Sequence, residues 1–114
     1  MKEMKSIINY KGQEYSLVFN LNVMEAIQDE YGTVGKWGKL TDGSEGEVSA
    51  KAVIFGLTEM LNEGIDIDNE TNGTNLQPFT KKQVGRMLTE IGLEDATRKI
   101  NETVIESTKS DEKN

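Results

Sequence analysis

The sequence predicts a single α+β domain, in which an N-terminal β-hairpin packs on a small bundle of three to four helices. Three observations predict it. Apolar and polar residues alternate near the N-terminus, apolar residues recur at helical spacing around Leu57, and helix-capping motifs lie before and after that central segment. A chain of 114 residues with 35% hydrophobic residues forms one domain with a modest core. We assign the domain to residues 1–107 and expect residues 108–114 to form a disordered polar tail, because they contain nothing to bury.

Residues 7–19 are typical of a β-hairpin. Apolar and polar residues alternate along the second half, and Lys11-Gly12 supplies the turn because glycine accepts a positive φ. The residues expected on the buried face are Ile8, Tyr10, Tyr15, Leu17 and Phe19. The alternation places Val18 on the outward face of the hairpin, and a single exposed valine is normal. A two-stranded hairpin is marginally stable alone, so we expect it to lie against the helices.

A short helix is predicted after the hairpin, over residues 23–31. The motif from Asn22 to Glu25 has the form of a capping box, in which the Asn22 side chain accepts a hydrogen bond from the Glu25 amide. Gly32 is expected to end this helix, because a C-terminal cap often needs a left-handed residue.

The structure of residues 33–46 is ambiguous from the sequence. Val34, Trp37 and Leu40 are spaced by three, which suits one or two helical turns, but two glycines weaken any helix there. Trp37 is the only tryptophan of the chain. It either covers the edge of the core or anchors an interface with a partner, where tryptophan is enriched.

The central helix of the domain is predicted over residues 48–64. Its apolar residues cover most of the circumference, so we expect neighbours on several of its sides. The main apolar face consists of Ala50, Val53, Ile54, Leu57, Met60 and Leu61, and it is widened by Val48, Ala52 and Phe55. Gly64 is expected to be the C-terminal cap.

Residues 65–78 are predicted to form a long, flexible polar loop, because they are rich in Asp, Asn, Thr and Gly. Oxygen ligands alternate at Asp66, Asp68, Glu70 and Asn72, as in a calcium-binding loop. Such a loop needs Gly at its sixth position and Glu at its twelfth, and these places hold Thr71 and Gln77. We therefore expect no calcium site.

Two more helices are predicted after this loop. Thr80 and Gln83 form a capping box for the first of them, which continues through Ile91 to a stop at Gly92. Residues 94–107 form the second, and its apolar stripe is narrow, so we expect it to pack weakly.

The composition excludes most kinds of catalytic and metal site. The chain has no Cys and no His, which removes the commonest nucleophiles, general bases and transition-metal ligands. A net charge of -7 opposes unaided binding to nucleic acid and to anionic membranes. The sequence lacks a membrane-length apolar run and a signal peptide, so we expect a cytoplasmic protein. We expect no catalytic residue, no metal and no cofactor, and we interpret the chain as a binding or assembly protein.

The order of these elements resembles that of the tail assembly chaperones of long-tailed phages and prophages of Gram-positive bacteria. The likeness extends over residues 7–100. The residues that match are the run 10–19, then Asn22, Ala26, Ile27, Glu30, Tyr31, Gly32, Trp37, Leu57, Gly64, Thr80, Val84, Leu88, Gly92 and Leu93. Each motif is structural and weak by itself, and the specificity lies in the order of the whole set.

The resemblance implies a non-catalytic function. Such chaperones bind the tape measure protein, a long helical chain, and keep it soluble until tail-tube subunits polymerise around it. It implies the tape measure protein as a partner, with the tail-tube protein as a further candidate, in the cytoplasm of the host bacterium and outside the mature virion. The family has no catalytic residues to transfer, and the sequence leaves self-association open.

Four apolar residues outside the strongest core patterns are the candidate protein-binding surface: Val18, Val34, Trp37 and Leu40. A competing interpretation is an acidic regulator that mimics DNA and blocks a basic protein. Net charge and size permit such a mimic, but lysines and arginines along the chain interrupt the acidic surface that it needs.

Overall fold

The computed structural model describes the backbone of residues 4–112 and the side chains of residues 6–105 and 107. Over this range the chain forms an antiparallel two-stranded hairpin followed by five helices, which confirms the α+β class. The strands are β1 (Met4–Tyr10) and β2 (Gln13–Phe19), and the helices are α1 (Leu21–Tyr31), α2 (Val34–Asp42), α3 (Ala50–Asn72), α4 (Lys81–Ile91) and α5 (Leu93–Glu112).

The hairpin forms with the predicted turn. Lys11 and Gly12 both have positive φ angles, 51° and 77°, as a tight two-residue turn between right-twisted strands requires. The prediction that Val18 points to solvent is wrong, because Val18 is fully buried. The alternation of apolar and polar residues tells the two faces of a strand apart, but the second face is exposed only if no other element packs on it. Here α3 packs against β2 at Ser16, so the strand is covered beyond its core face.

The first helix has a different N-terminal cap from the predicted one. Asn20 is the cap, and its side-chain oxygen accepts a hydrogen bond from the Val23 amide at 3.2 Å. The Asn22 side chain instead donates to the Glu63 carboxylate at 2.9 Å, which ties the start of α1 to α3. The predicted end at Gly32 is confirmed.

The ambiguous segment around Trp37 forms a helix of nine residues, α2. Thr33 caps its N-terminus, and Gly43 ends it in a left-handed conformation with φ of 79°. Tertiary packing outweighs the two interior glycines, because Trp37 and Thr41 are buried on its inner face. This helix raises the number of helices in the described range from the predicted three or four to five.

The predicted long loop is largely helical, which corrects the sequence-based assignment. Helix α3 passes through Gly64 and ends at Asn72, and Gly73 is its left-handed cap with φ of 67°. Gly64 is buried in the helix interior, where a Cβ atom would lie 2.5 Å from the Ser16 carbonyl oxygen. Glycine at this position therefore permits a close approach to β2 and does not end the helix. The connection to α4 is correspondingly short.

That connection is held by asparagine side chains of α3. The Asn62 amide group bonds to both backbone polar groups of Phe79, at 2.8 and 3.0 Å. The Asn69 side chain bonds to both backbone polar groups of Leu76, at 2.9 and 3.1 Å. These bonds satisfy the backbone groups of Leu76 and Phe79, so the connection is tied to α3 at these two residues. The flexibility expected for this segment stays a prediction.

The last two helices start close to where the sequence predicts. Both bonds of the Thr80–Gln83 capping box are present, at 2.8 and 3.2 Å. Gly92 separates α4 from α5, whose backbone is helical to Glu112. The side chains of the predicted tail, residues 108–114, lie outside the described residues, as does the backbone of its last two. The disorder expected for that tail stays a prediction.

Candidate docking groove

An open groove lies between α3 and α4 on the outside of the domain. Its floor is formed by Ile54 and Phe55 of α3 and by Gly85 of α4. The main part of the groove has a volume of about 400 Å³. A second hollow of about 300 Å³ shares Ile54 and Gly85 with it and extends along α4 to Leu93. We call the two together the α3/α4 groove.

The groove exists because the contact between the two helices is incomplete. The buried side chains of α4 are Val84, Met87 and Leu88, and they join the core. Gly85, next to Val84, has no side chain to fill the outer part of the contact. A Cβ atom at Gly85 would make an ordinary contact of 3.7 Å with Ile54 Cδ1, so space remains there. The floor is therefore apolar, half-buried and accessible from solvent.

Lysines surround one end of the groove. Lys51 from the first turn of α3 and Lys81 and Lys82 from the first turn of α4 line it, together with Glu30 at the end of α1. The Lys81 ammonium lies 5.4 Å from the centre of the Phe55 ring, within range of a cation–π interaction. Among the residues that the structure describes, none of these three lysines forms an ion pair.

Tyr31 packs against Phe55 next to this end of the groove. Its ring meets the Phe55 ring edge-on, with 5.6 Å between centroids. Its hydroxyl is buried and has no hydrogen-bond partner within the described part of the chain. Burial raises the pKa of the Tyr31 hydroxyl, and the nearby Glu30 carboxylate raises it further. Tyr31 therefore stays a neutral, packed side chain below alkaline pH.

The four residues predicted as a binding surface do not form a solvent-exposed patch. Trp37 is 1% exposed, and its indole Nε1 donates a hydrogen bond to the Ala52 carbonyl at 2.9 Å. Val18 is buried as well, Val34 is half-buried, and Leu40 is 40% exposed. Of the two alternatives for Trp37, the structure supports the one in which it covers the core. Contact of any of the four with a partner stays a prediction.

Sequence reasoning missed the groove, although one signal pointed toward it. The apolar residues of the central helix extend around most of its circumference, and Ile54 and Phe55 lie at the edge of that pattern. Such residues are either covered by a neighbour or exposed at a contact site. The deciding fact is that Gly85 lies opposite Ile54, and no sequence pattern indicates that pairing.

The fold and the groove together define a small acidic α+β domain with an open apolar groove on its surface. In the part of the chain that the structure describes, no helix has the length and apolar character needed to cross a membrane. The same part contains no cluster of three or more acidic, His or Cys side chains placed to hold a metal ion. Comparison of the chain with protein-family models, with curated proteins and with solved structures found no match.

Proposed function

We propose that this protein is a tail assembly chaperone of a long-tailed phage or prophage, which binds the tape measure protein and keeps it soluble during tail assembly. The observation that supports the proposal is the α3/α4 groove, an open apolar surface on a body with a net charge of -7. A chaperone for a long helical client needs an accessible apolar surface to hold it. It also needs net charge to keep the complex soluble.

The size of the groove suits a helical client. Helix α4 has 11 residues, and at a rise of 1.5 Å per residue it is about 16 Å long. The groove runs beside it from Lys81 to Leu93, so it offers a seat for roughly three turns of a client helix. A contact of this length gives moderate affinity, which permits the release that tail assembly requires.

The proposed function is binding without catalysis. The described residues that line the groove are glycine, aliphatic, aromatic or lysine, apart from Thr89 and Glu30. We place the protein in the cytoplasm of the host bacterium and outside the finished virion. The groove also replaces the surface around Trp37 as the proposed contact site, because Trp37 is buried.

The experiment is co-expression with a tape measure protein from the same phage or prophage, followed by measurement of client solubility and by pull-down. We expect the client to be soluble only with this protein. Ile54→Glu places a charge on the groove floor, and Gly85→Met fills the groove without removing any core contact. Both should abolish the rescue. The matched control is Leu21→Glu, at the exposed start of α1 and at the opposite end of that helix from Glu30.

Circular dichroism of each variant shows whether it folds, and Gly85→Met keeps the test decisive if Ile54→Glu is unstable. A client that is equally soluble without this protein, together with the absence of any complex, contradicts the proposed function. Rescue that survives in folded Gly85→Met protein contradicts the groove as its site.

A further inference from the structure

Charge is distributed unevenly along the α3/α4 groove. Lys51, Lys81 and Lys82 surround the end at Phe55, and among the described residues Glu30 is the only carboxylate that lines it. The other end is lined by Ala50, Leu88, Thr89 and Leu93, and none of the described residues that line it is charged. The chain has 13 basic and 20 acidic residues, so its net charge is negative. The end of the groove at Phe55, with three ammonium groups and one carboxylate, has a net positive charge.

The positions of these lysines are unfavourable for the helices that contain them. The N-terminal end of a helix has a partial positive charge, so acidic residues are preferred in its first turn. Helices α3 and α4 have no acidic residue in the first turn, and they have Lys51, Lys81 and Lys82 there instead. Departures from such local preferences are expected at functional sites. The three lysines and the N-terminal end of α4 lie on the Phe55 side of the groove, and both favour a negatively charged group there.

We propose that the α3/α4 groove selects an amphipathic helix with Asp or Glu residues at one end of its apolar stripe. The stripe lies on Ile54 and Phe55, and the acidic residues lie among Lys51, Lys81 and Lys82. The occupant is a segment of a partner chain. This inference rests on the proposed function, because it specifies which segments of the helical client the groove binds.

Charge complementarity is the reason for an acidic occupant. Within the described residues these lysines have no carboxylate partner, so their charge is available to a ligand. A basic helix placed on the same floor would bring like charges together beside an apolar contact, and such repulsion suppresses the wrong partner. The uncharged end at Leu93 contributes apolar contact without this discrimination.

The test uses synthetic peptides as probes. Each is about 18 residues long, or roughly five helical turns, with leucines at the spacing of one helix face. One peptide has three Glu residues at one end of the stripe, and a second has three Lys residues at the same positions. Fluorescence anisotropy measures the Kd of each. We expect the Glu peptide to bind roughly tenfold tighter, since about three exposed charge pairs contribute a few-fold or less each.

Two double variants locate this preference. Lys81→Glu with Lys82→Glu should remove or reverse it, and the fold should persist because acidic residues suit the start of α4. Lys11→Glu with Lys39→Glu makes the same change in net charge at exposed positions outside the groove, and it should leave the preference intact. In about 1 M salt, where the Debye length is about 3 Å, the preference of the wild-type protein should largely disappear.

Several results overturn the inference. Equal binding of the two peptides, no binding of either, or equal loss in both double variants each shows that the groove lysines do not select the ligand. A dimer in light scattering that Ile54→Glu dissociates shows that a second copy occupies the groove.

The co-expression assay separates this inference from the proposed function. If folded Lys81→Glu/Lys82→Glu protein still solubilises the client, the charge selection fails while the chaperone function stands. If the peptide preference holds and the client is never solubilised, the chaperone function fails.

Discussion

The two sides of α3 differ in how completely they are packed. On the side toward α2 and the hairpin, glycines allow close contact: a Cβ atom at Gly56 would overlap the Trp37 ring, and one at Gly64 would meet the Ser16 carbonyl. On the side toward α4, a Cβ atom at Gly85 would find ordinary contact distance to Ile54. The first side is a closed core. The second is an incomplete contact with an apolar floor, which is the form of a docking surface.

The comparison shows that glycines in helices have different roles, which depend on the space around them. Gly56 and Gly64 are required because a neighbour occupies the space that a side chain would need. Gly85 leaves a space that a side chain could occupy. The polar groups differ as well, because Trp37 on the closed side is an uncharged indole bonded to the Ala52 carbonyl, while three lysines border the open side.

The largest expected effect is from Trp37→Ala on the closed side. Removal of a fully buried indole and its hydrogen bond to Ala52 should lower the free energy of unfolding by about 3–5 kcal/mol. Urea denaturation followed by circular dichroism measures it. A loss below about 1 kcal/mol, accompanied by weaker client binding, would restore Trp37 as an interface anchor and contradict the division into closed and open sides.

A smaller loss is expected from Gly56→Ala. The added methyl group overlaps the rigid indole of Trp37, so the core must shift, at a cost of about 1–3 kcal/mol despite the better helix propensity of alanine. Gly64→Ala, against the Ser16 backbone, should behave in the same way. Thermal unfolding of both variants checks this prediction. Unchanged melting temperatures would mean that the closed side can adjust.

Gly85→Ala on the open side is expected to raise the free energy of unfolding, whereas the substitutions on the closed side lower it. Alanine has the higher helix propensity, and its methyl group fits beside Ile54, so the protein should gain about 0.5–1 kcal/mol of stability. The same denaturation assay, with Gly56→Ala as the matched comparison, measures this difference in sign. A loss of stability at Gly85 would show that the contact between α3 and α4 is already full.

The smallest effect concerns Tyr31, at the boundary between the two sides. Its hydroxyl is buried and lacks a hydrogen-bond partner in the described range, so Tyr31→Phe should be neutral or stabilising by about 0.5 kcal/mol. The raised pKa of Tyr31 means that the folded protein holds this proton more tightly than the unfolded chain. This difference in pKa contributes to the free energy of unfolding. The contribution is fully present below about pH 10, the ordinary pKa of tyrosine, and is lost as the pH rises through the folded-state pKa.

Denaturation series at neutral and alkaline pH test this last prediction. The wild-type protein should lose more stability than Tyr31→Phe above about pH 10. Tyr10→Phe, in the hairpin, is the control for general alkaline effects, because it removes a different tyrosine hydroxyl. Equal loss in wild type and Tyr31→Phe would show that the Tyr31 hydroxyl is not responsible.

Several elements could be predicted from the sequence because their signals are local. The hairpin turn at Lys11-Gly12 depends on the φ angles of two adjacent residues, and the capping box at Thr80 depends on residues three apart. The apolar periodicity around Leu57 predicts a buried helix for the same reason, since a helix places these residues on one face. Each of these features needs no knowledge of what lies elsewhere in the fold.

Tertiary structure decided the features that depend on distant residues. Gly64 is typical of a cap in the sequence, but the Ser16 carbonyl, from β2, makes it an interior contact and lets α3 continue to Asn72. Val18 alternates as an outward residue, but it is buried in the fold. The groove likewise depends on Gly85 lying opposite Ile54, from different helices. The sequence by itself determined the hairpin turn, the start of α4 and the existence of the central helix, because capping and periodicity are local. Only the fold decided which apolar residues are covered, because burial depends on residues far apart in the chain.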